Sequence, residues 1–178
     1  MKAAFIGRFQ PFHEGHRKVV EEYRNEFEEF CIVIGSSGKR REEENPLSFE
    51  ERKSIIEECY PELEILGIED RESDSEWIEE LKRKSGADVV ISQNDLVKKL
   101  VREDKELKLE DHELYSHDIF SGTEVRRRMR SGEEWRYLVS DCAREKISGL
   151  EDKIRESGID YEYEPGWKKE NAYHGTAD

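Results

Sequence analysis

One short apolar run that breaks at a glycine and passes straight into a helix limits this chain to few architectures. Ala3–Ile6 is compact and apolar enough for a buried strand, Gly7 interrupts it, and Pro11 stiffens the loop that follows. An apolar-periodic segment from Gly15 to Phe30 then predicts a helix. A strand joined to a helix by a glycine turn aims main-chain N–H groups, and the positive end of the helix dipole, at one spot that suits a phosphate. His13 and His16 stand three residues apart at the helix entry, so both imidazoles can face that spot. With Arg8 they point to nucleotide phosphate chemistry; the structural alternative is that His13 caps a turn and His16 packs on the sheet. Zinc is discounted, because no third His, Cys or carboxylate nearby has recognisable ligand spacing.

The second informative segment is Phe120–Met129. Ser121 followed by Glu124 fits a capping box, so a helix should begin here with its hydroxyls and free N–H groups forming a second phosphate cradle. Arg126, one turn in, can reach the same anion with a forked donor. The alternative is an ordinary capped surface helix with solvated arginines.

Alternation of strands and helices continues along the chain. Phe30–Ile34, Leu63–Ile68 and Ala87–Ser92 read as further strands, and helices are expected from Ser48 to Cys59, Trp77 to Lys84 and Asp95 to Glu103. A less regular stretch follows to Phe120. This pattern predicts an α/β fold, a Rossmann-like parallel sheet with helices on both faces and ligands at the carboxyl ends of the strands. The Gly35–Gly38 loop lacks P-loop spacing and is rejected as one. Residues 145–158 look helical, and the polar remainder to Asp178, with Tyr161, Tyr163, Trp167 and Tyr173, matches no pattern and either docks through its aromatics or stays partly disordered.

The chain has 178 residues, enough for one core, but is only 34% apolar and 42% charged. Its net charge of −14 argues against nucleic acid as the main partner and requires a locally basic site, for which Arg8, Lys39–Arg41 and Arg126–Arg128 are candidates. No stretch has the roughly 18 apolar residues of a membrane span, and no signal peptide is expected. Cys31, Cys59 and Cys142 are odd in number and widely spaced, which is read as free thiols in a reducing cytoplasm, with Cys31 and Cys59 as core filler.

The segment containing His13–Gly15–His16 resembles the (H/T)xGH signature of the nucleotidyltransferase superfamily, and FSGTEVR resembles its C-terminal ISSTxxR signature. The longer form GRFQPFHEGH, with SGTEVRRRM at Ser121–Met129, is similar to the archaeal-type nicotinamide-nucleotide adenylyltransferases. Asn45–Arg52 resembles that family's NPFTAGER segment, Asp70 with Trp77 its D…W stretch, Ser92–Asn94 its SGN, and Gly132–Trp135 its GEKW turn. The likeness covers residues 1–150, taken as the nucleotidyltransferase domain, with 151–178 as a helix end and tail of unknown role. Gln93 in place of the SGN glycine, Asp95 where proline usually follows, and Ser48–Glu50 in place of TAG depart from the pattern.

The resemblance implies an HxGH-type nucleotidyltransferase fold and transfer of an adenylyl group from ATP to nicotinamide mononucleotide, giving NAD and pyrophosphate. It implies Gly7, Arg8, Phe9, Gly15, His16, Ser121, Thr123 and Arg126 at the ATP phosphates, with His13, His16, Arg8 and Arg126 carrying catalysis. Mg²⁺ would be held mainly by ATP's own oxygens. Trp77 is expected to stack on the pyridine ring, Asn94 or nearby backbone to read the carboxamide, and Asp70 to bind a ribose or only cap the helix bearing Trp77; Trp135 is expected to be structural. A homo-hexamer is implied. The alternatives are another phosphorylated acceptor (nicotinic acid mononucleotide, FMN or phosphopantetheine) or a non-catalytic nucleotide sensor.

Overall fold

The computed structural model describes residues 1–111 and 116–159. Five parallel strands, β1 (Lys2–Gly7), β2 (Glu29–Ile34), β3 (Glu64–Gly67), β4 (Val89–Ser92) and β5 (Lys108–Glu110), form one sheet in the order β3-β2-β1-β4-β5. Among the described residues seven α-helices connect and cover it: α1 (Glu14–Tyr23), α2 (Phe49–Cys59), α3 (Asp74–Ser85), α4 (Asp95–Glu103), α5 (Gly122–Ser131), α6 (Asp141–Gly149) and α7 (Glu151–Glu156).

Alternation along β1 divides the core between the two faces. Ala3 and Phe5 pack with Val19 and Val20 of α1, Ile55 and Ile56 of α2, Met129 of α5 and Ile147 of α6. Ala4 and Ile6 pack on the other face with Ile78 and Leu81 of α3 and Val101 of α4. The expected parallel α/β sheet with helices on both faces is therefore the fold. Successive side chains of a strand point to opposite faces, so a strand buried on both sides is apolar throughout, as β1, β2 and β4 are.

Several boundaries differ from the sequence reading. The first helix stops at Tyr23, because the chain must turn back into β2. The irregular stretch before Phe120 contains β5, whose three residues are too few for a periodic signal. The expected C-terminal helix begins at Asp141 and is divided at Leu150 into α6 and α7, and α7 buries Ile154 in the core. The aromatic tail beyond Ile159 lies outside the described residues.

The cysteine expectation is corrected. Cys59, at the end of α2, and Cys142, at the start of α6, form a disulfide across a sequence separation of 83. Widely spaced cysteines give no sign of pairing in sequence; here the packing of α2 beside α6 brings the two helix ends together. Cys31 is free and buried, and burial pushes its thiol up to about 11, which leaves it unreactive.

Candidate active site

The strand order turns around at β1. From β1 the chain steps outward through β2 to β3, whereas β4 lies on the other side of β1 and leads to β5. Loops leaving β1 and β4 therefore part and leave a crevice at the carboxyl ends of the strands. A cleft of about 590 Å³ opens there, lined among others by Gly7, Arg8, Ser92 and Asn94. Ser92 Oγ donates to Ile6 O across 3.3 Å and holds the two strand ends together at its floor.

The loop after β1 turns at Phe9, whose φ of 53° lies in the left-handed region. That turn drives the Phe9 ring under the strand, edge-on to Phe5 at 5.4 Å and to His16 at 4.6 Å. Phe9 thus supports His16 from beneath. His13 is the N-cap of α1: its Nδ1 accepts from Gly15 N at 3.1 Å, while its own N–H donates to His16 Nδ1 at 3.2 Å. Both Nδ1 atoms accept hydrogen bonds, so each neutral imidazole carries its proton on Nε2. The rings stack at 3.6 Å. Burial is the main cause that pushes His13 down to about 3 and His16 well below its ordinary value, with the mutual repulsion of neighbouring imidazoles a further cause. The capping and packing roles raised as alternatives are real. They also fix two neutral Nε2–H donors at the cleft.

The second motif meets the first. Ser121 caps α5 by accepting from Glu124 N at 3.1 Å. The reciprocal half of the expected capping box is not formed; the Glu124 carboxylate instead takes Arg127 and Arg128. Those two arginines are consequently neutralised and do not line the cleft, and Arg41 is likewise held by Glu51 at 2.6 Å. Arg126 differs. It is 5% exposed, donates from Nη1 to Gln10 O at 2.7 Å and reaches Thr123 Oγ1 at 3.5 Å. Its Nε is buried without a partner, and no carboxylate pairs with it among the described residues. Burial, with Arg130 and Arg8 nearby, lowers it to about 10, against a smaller opposing effect of Glu44 and Glu43. A buried cation without a counter-charge is costly unless a ligand supplies one. Arg8, about half exposed, pairs among the described residues with Glu44 alone, at 3.8 Å.

Two glycines permit this close meeting. A Cβ on Gly15 would lie 2.9 Å from the His13 ring and 3.3 Å from Phe120 O; one on Gly122 would lie 2.9 Å from Arg126 Nη1 and 3.0 Å from Gln10 O. Gly15 therefore shapes the site from behind rather than lining it.

Asp70 and Trp77 line the far part of the cleft. Asp70 accepts from Ser36 Oγ at 2.9 Å; the helix bearing Trp77 is capped by Ser73. Asn94 Oδ1 caps α4 through Val97 N at 3.0 Å, so its amide nitrogen is the part left to face a ligand. Trp135 is buried in the core.

Sequence reasoning gave no role to three residues that hold the site. Gln10 is buried and pairs through both side-chain atoms with Leu47 O and N at 2.9 Å. Arg52, fully buried, donates to the carbonyls of Ser48, Arg8, Gly35 and Ser36 at 3.2, 3.0, 2.8 and 3.0 Å, tying the loops after β1 and β2 to α2. A signal for Arg52 existed: it precedes Ile55 and Ile56 on the apolar face of α2, where a charge is out of place. His117, the third residue, lines the cleft from a stretch with no readable pattern.

Neutral N–H donors, a buried guanidinium with no ion-pair partner among the described residues and two helix N-termini converging on a switch-point cleft define a nucleotidyltransferase site. In accord with that class, the chain belongs to the cytidylyltransferase-like family, whose model matches residues 4–149. Its place within the family is among the nicotinamide-nucleotide adenylyltransferases. It is 33% identical to the protein of that name from Halobacterium salinarum over 152 residues, 83% of this chain and 85% of that one. To its counterpart from Methanosarcina acetivorans it is 37% identical over 156 residues, 85% and 90% of the two chains. The fold is similar to that of a bifunctional NMN adenylyltransferase/ADP-ribose pyrophosphatase from Francisella tularensis, with a TM-score of 0.77 at 22% identity. A second structure of that protein, complexed with AMP and manganese, gives 0.72 at 20%. Each superposition takes in 98% of this chain but only 57% and 56% of those longer chains. No helix among the described residues is long and apolar enough to cross a membrane.

Proposed function

We propose that this cleft transfers the adenylyl group of ATP to nicotinamide mononucleotide, producing NAD and pyrophosphate. The observation that carries the reading is Arg126: a buried guanidinium with an orphan Nε and, among the described residues, no carboxylate in ion-pair contact, set beside the donors of His13 and His16. Its missing counter-charge matches a polyphosphate.

A phosphate oxygen of nicotinamide mononucleotide attacks the α-phosphorus in line. The new P–O bond forms as the bond to the bridging oxygen breaks, and the electron pair leaves with pyrophosphate. The nucleophile is already an anion, so no general base is needed, and catalysis consists of positioning and charge stabilisation. His13 and His16 donate from Nε2 to α-phosphate and bridging oxygens as charge moves onto them. Arg126 and Arg8, with Thr123 and the N–H groups at the start of α5, hold the β- and γ-phosphates. Trp77 stacks on the pyridine ring, the Asn94 amide addresses the carboxamide, and Asp70 takes a ribose hydroxyl. Mg²⁺ would be held mainly by ATP's own oxygens, since this ion usually keeps its waters and takes few protein ligands.

The test is pyrophosphate release from ATP and Mg²⁺ with nicotinamide mononucleotide, nicotinic acid mononucleotide, FMN and phosphopantetheine in parallel, with His16→Ala as control. Release with a pyridine nucleotide, lost in the control, is the expected result. Release with FMN or phosphopantetheine alone reassigns the acceptor, and ATP binding without turnover on any acceptor makes the protein a sensor.

A further inference from the structure

Between β3 and α3, the charged residues that line the cleft are Asp70, Arg71 and, at the start of α3, Asp74. Asp70 meets Lys39 at 3.6 Å in an exposed pair that solvent screens. Arg71 is the cation that could receive an anionic acceptor there, but it is already taken. Its Nε and Nη2, the edge of the guanidinium that grips a carboxylate with two parallel bonds, both face Glu80 Oε2. The Glu80 side chain is only 8% exposed, and its other oxygen lies 3.0 Å from Lys84 Nζ. Lys84 in turn donates to Gly67 O at 2.9 Å, which anchors this arrangement to the end of β3. Glu80 is thus a buried carboxylate pinned between two cations, and it holds Arg71 in place.

We infer that Glu80, by occupying Arg71, makes the cleft select a pyridine mononucleotide with an uncharged carboxamide over one with a carboxylate. The inference rests on the proposed function, in which the acceptor's ring lies against Trp77. A ring carboxylate entering there meets Asp70 and Asp74, while the charge of Arg71 is balanced by Glu80 and its Nε–Nη2 edge is taken, with only Nη1 left unheld among the described residues. The N-termini of α3 and α4 offer some positive potential, but Asp74, Glu76 and Asp95 in their first turns offset it. A carboxamide brings no charge and needs only ordinary donors and acceptors. Glu80 is a specificity residue acting through Arg71.

The experiment measures kcat/KM of the full chain, with ATP and Mg²⁺, for nicotinamide and nicotinic acid mononucleotides. The unmodified protein should favour the amide. Glu80→Gln, which keeps the shape but removes the charge that pins Arg71, should raise the nicotinic acid value by roughly tenfold or more, the size of one charge-assisted pair, and move the amide value far less. Glu80→Asp retains the charge beside Lys84 but withdraws the oxygen from Arg71; it should give an intermediate rise and covers the case in which Glu80→Gln does not fold. Adding Arg71→Met to either variant should abolish the gain. An unchanged acceptor ratio in a folded Glu80 variant, or a gain that survives loss of Arg71, overturns the inference. Absence of turnover with both acceptors in the unmodified protein instead overturns the proposed function.

Discussion

The guanidinium of Arg126 donates to the main-chain carbonyl of Gln10 over 2.7 Å, joining positions 116 residues apart. Through this bond the helix start at Ser121 and the loop after β1 become one site, and the cation is aimed before any ligand arrives. Pre-orientation of this kind removes reorganisation from the reaction step.

Replacing Arg126 by Ala should lower the rate of pyrophosphate formation by about 10²–10³, the usual effect of losing one pre-aligned donor. Arg126→Lys should recover only part of this, since an ammonium cannot serve Gln10 O and a phosphate with a planar fork. Full activity in the lysine variant would show that charge alone suffices.

Because both Nδ1 atoms accept hydrogen bonds and burial opposes the imidazolium, His13 and His16 should remain neutral, with the proton on Nε2, throughout pH 5.5–8. Nitrogen NMR of labelled histidines reads this directly; a midpoint near 6.5 for either would refute it. The stability consequence has a definite sign. Folded His13 titrates at about 3, below its unfolded value of 6.5, so the unfolded chain takes up the proton first. Stability is therefore full above pH 6.5 and declines as pH falls toward 3. Urea midpoints between pH 6.5 and 5, above the carboxylate range, should fall more for the natural chain than for His13→Gln.

Arg52 serves four carbonyls from two loops and the helix cap at Ser48. Arg52→Leu removes the side-chain donor of the Arg8 and Gly35 carbonyls, while Ser48 O and Ser36 O keep main-chain partners, so a loss of about 3 kcal/mol is expected in denaturant titrations. Arg52→Lys, retaining the charge but not the fork, should fold and raise KM for ATP, because the Arg8 and Ser36 loops lose their fixed separation.

Reducing the Cys59–Cys142 bond should destabilise the protein by about 2–4 kcal/mol, since the bridge closes a long loop in the unfolded chain. Thermal melts with and without reductant, and of Cys59→Ser, should agree. Turnover at low temperature should not change, as the bridge lies between α2 and α6 and neither cysteine lines the cleft. Reductant-insensitive melting would contradict the pairing.

The sequence by itself determined the parallel sheet and the two helix starts that carry His13, His16 and Arg126. Each is a local signal: apolar runs of strand length, a glycine at a strand end, a capping serine, and imidazoles one helical turn apart. Tertiary structure alone decided which charges survive. Arg41, Arg71, Arg127 and Arg128 are indistinguishable in sequence from Arg8 and Arg126, yet the first four are held by glutamates and the last two face the cleft with little or no compensation. Pairing of this kind depends on side-chain distances of a few ångströms between separate elements, as do the clamp of Arg52 and the meeting of Cys59 with Cys142. Local propensity carries no record of such distances, because they are fixed only when the helices settle on the sheet.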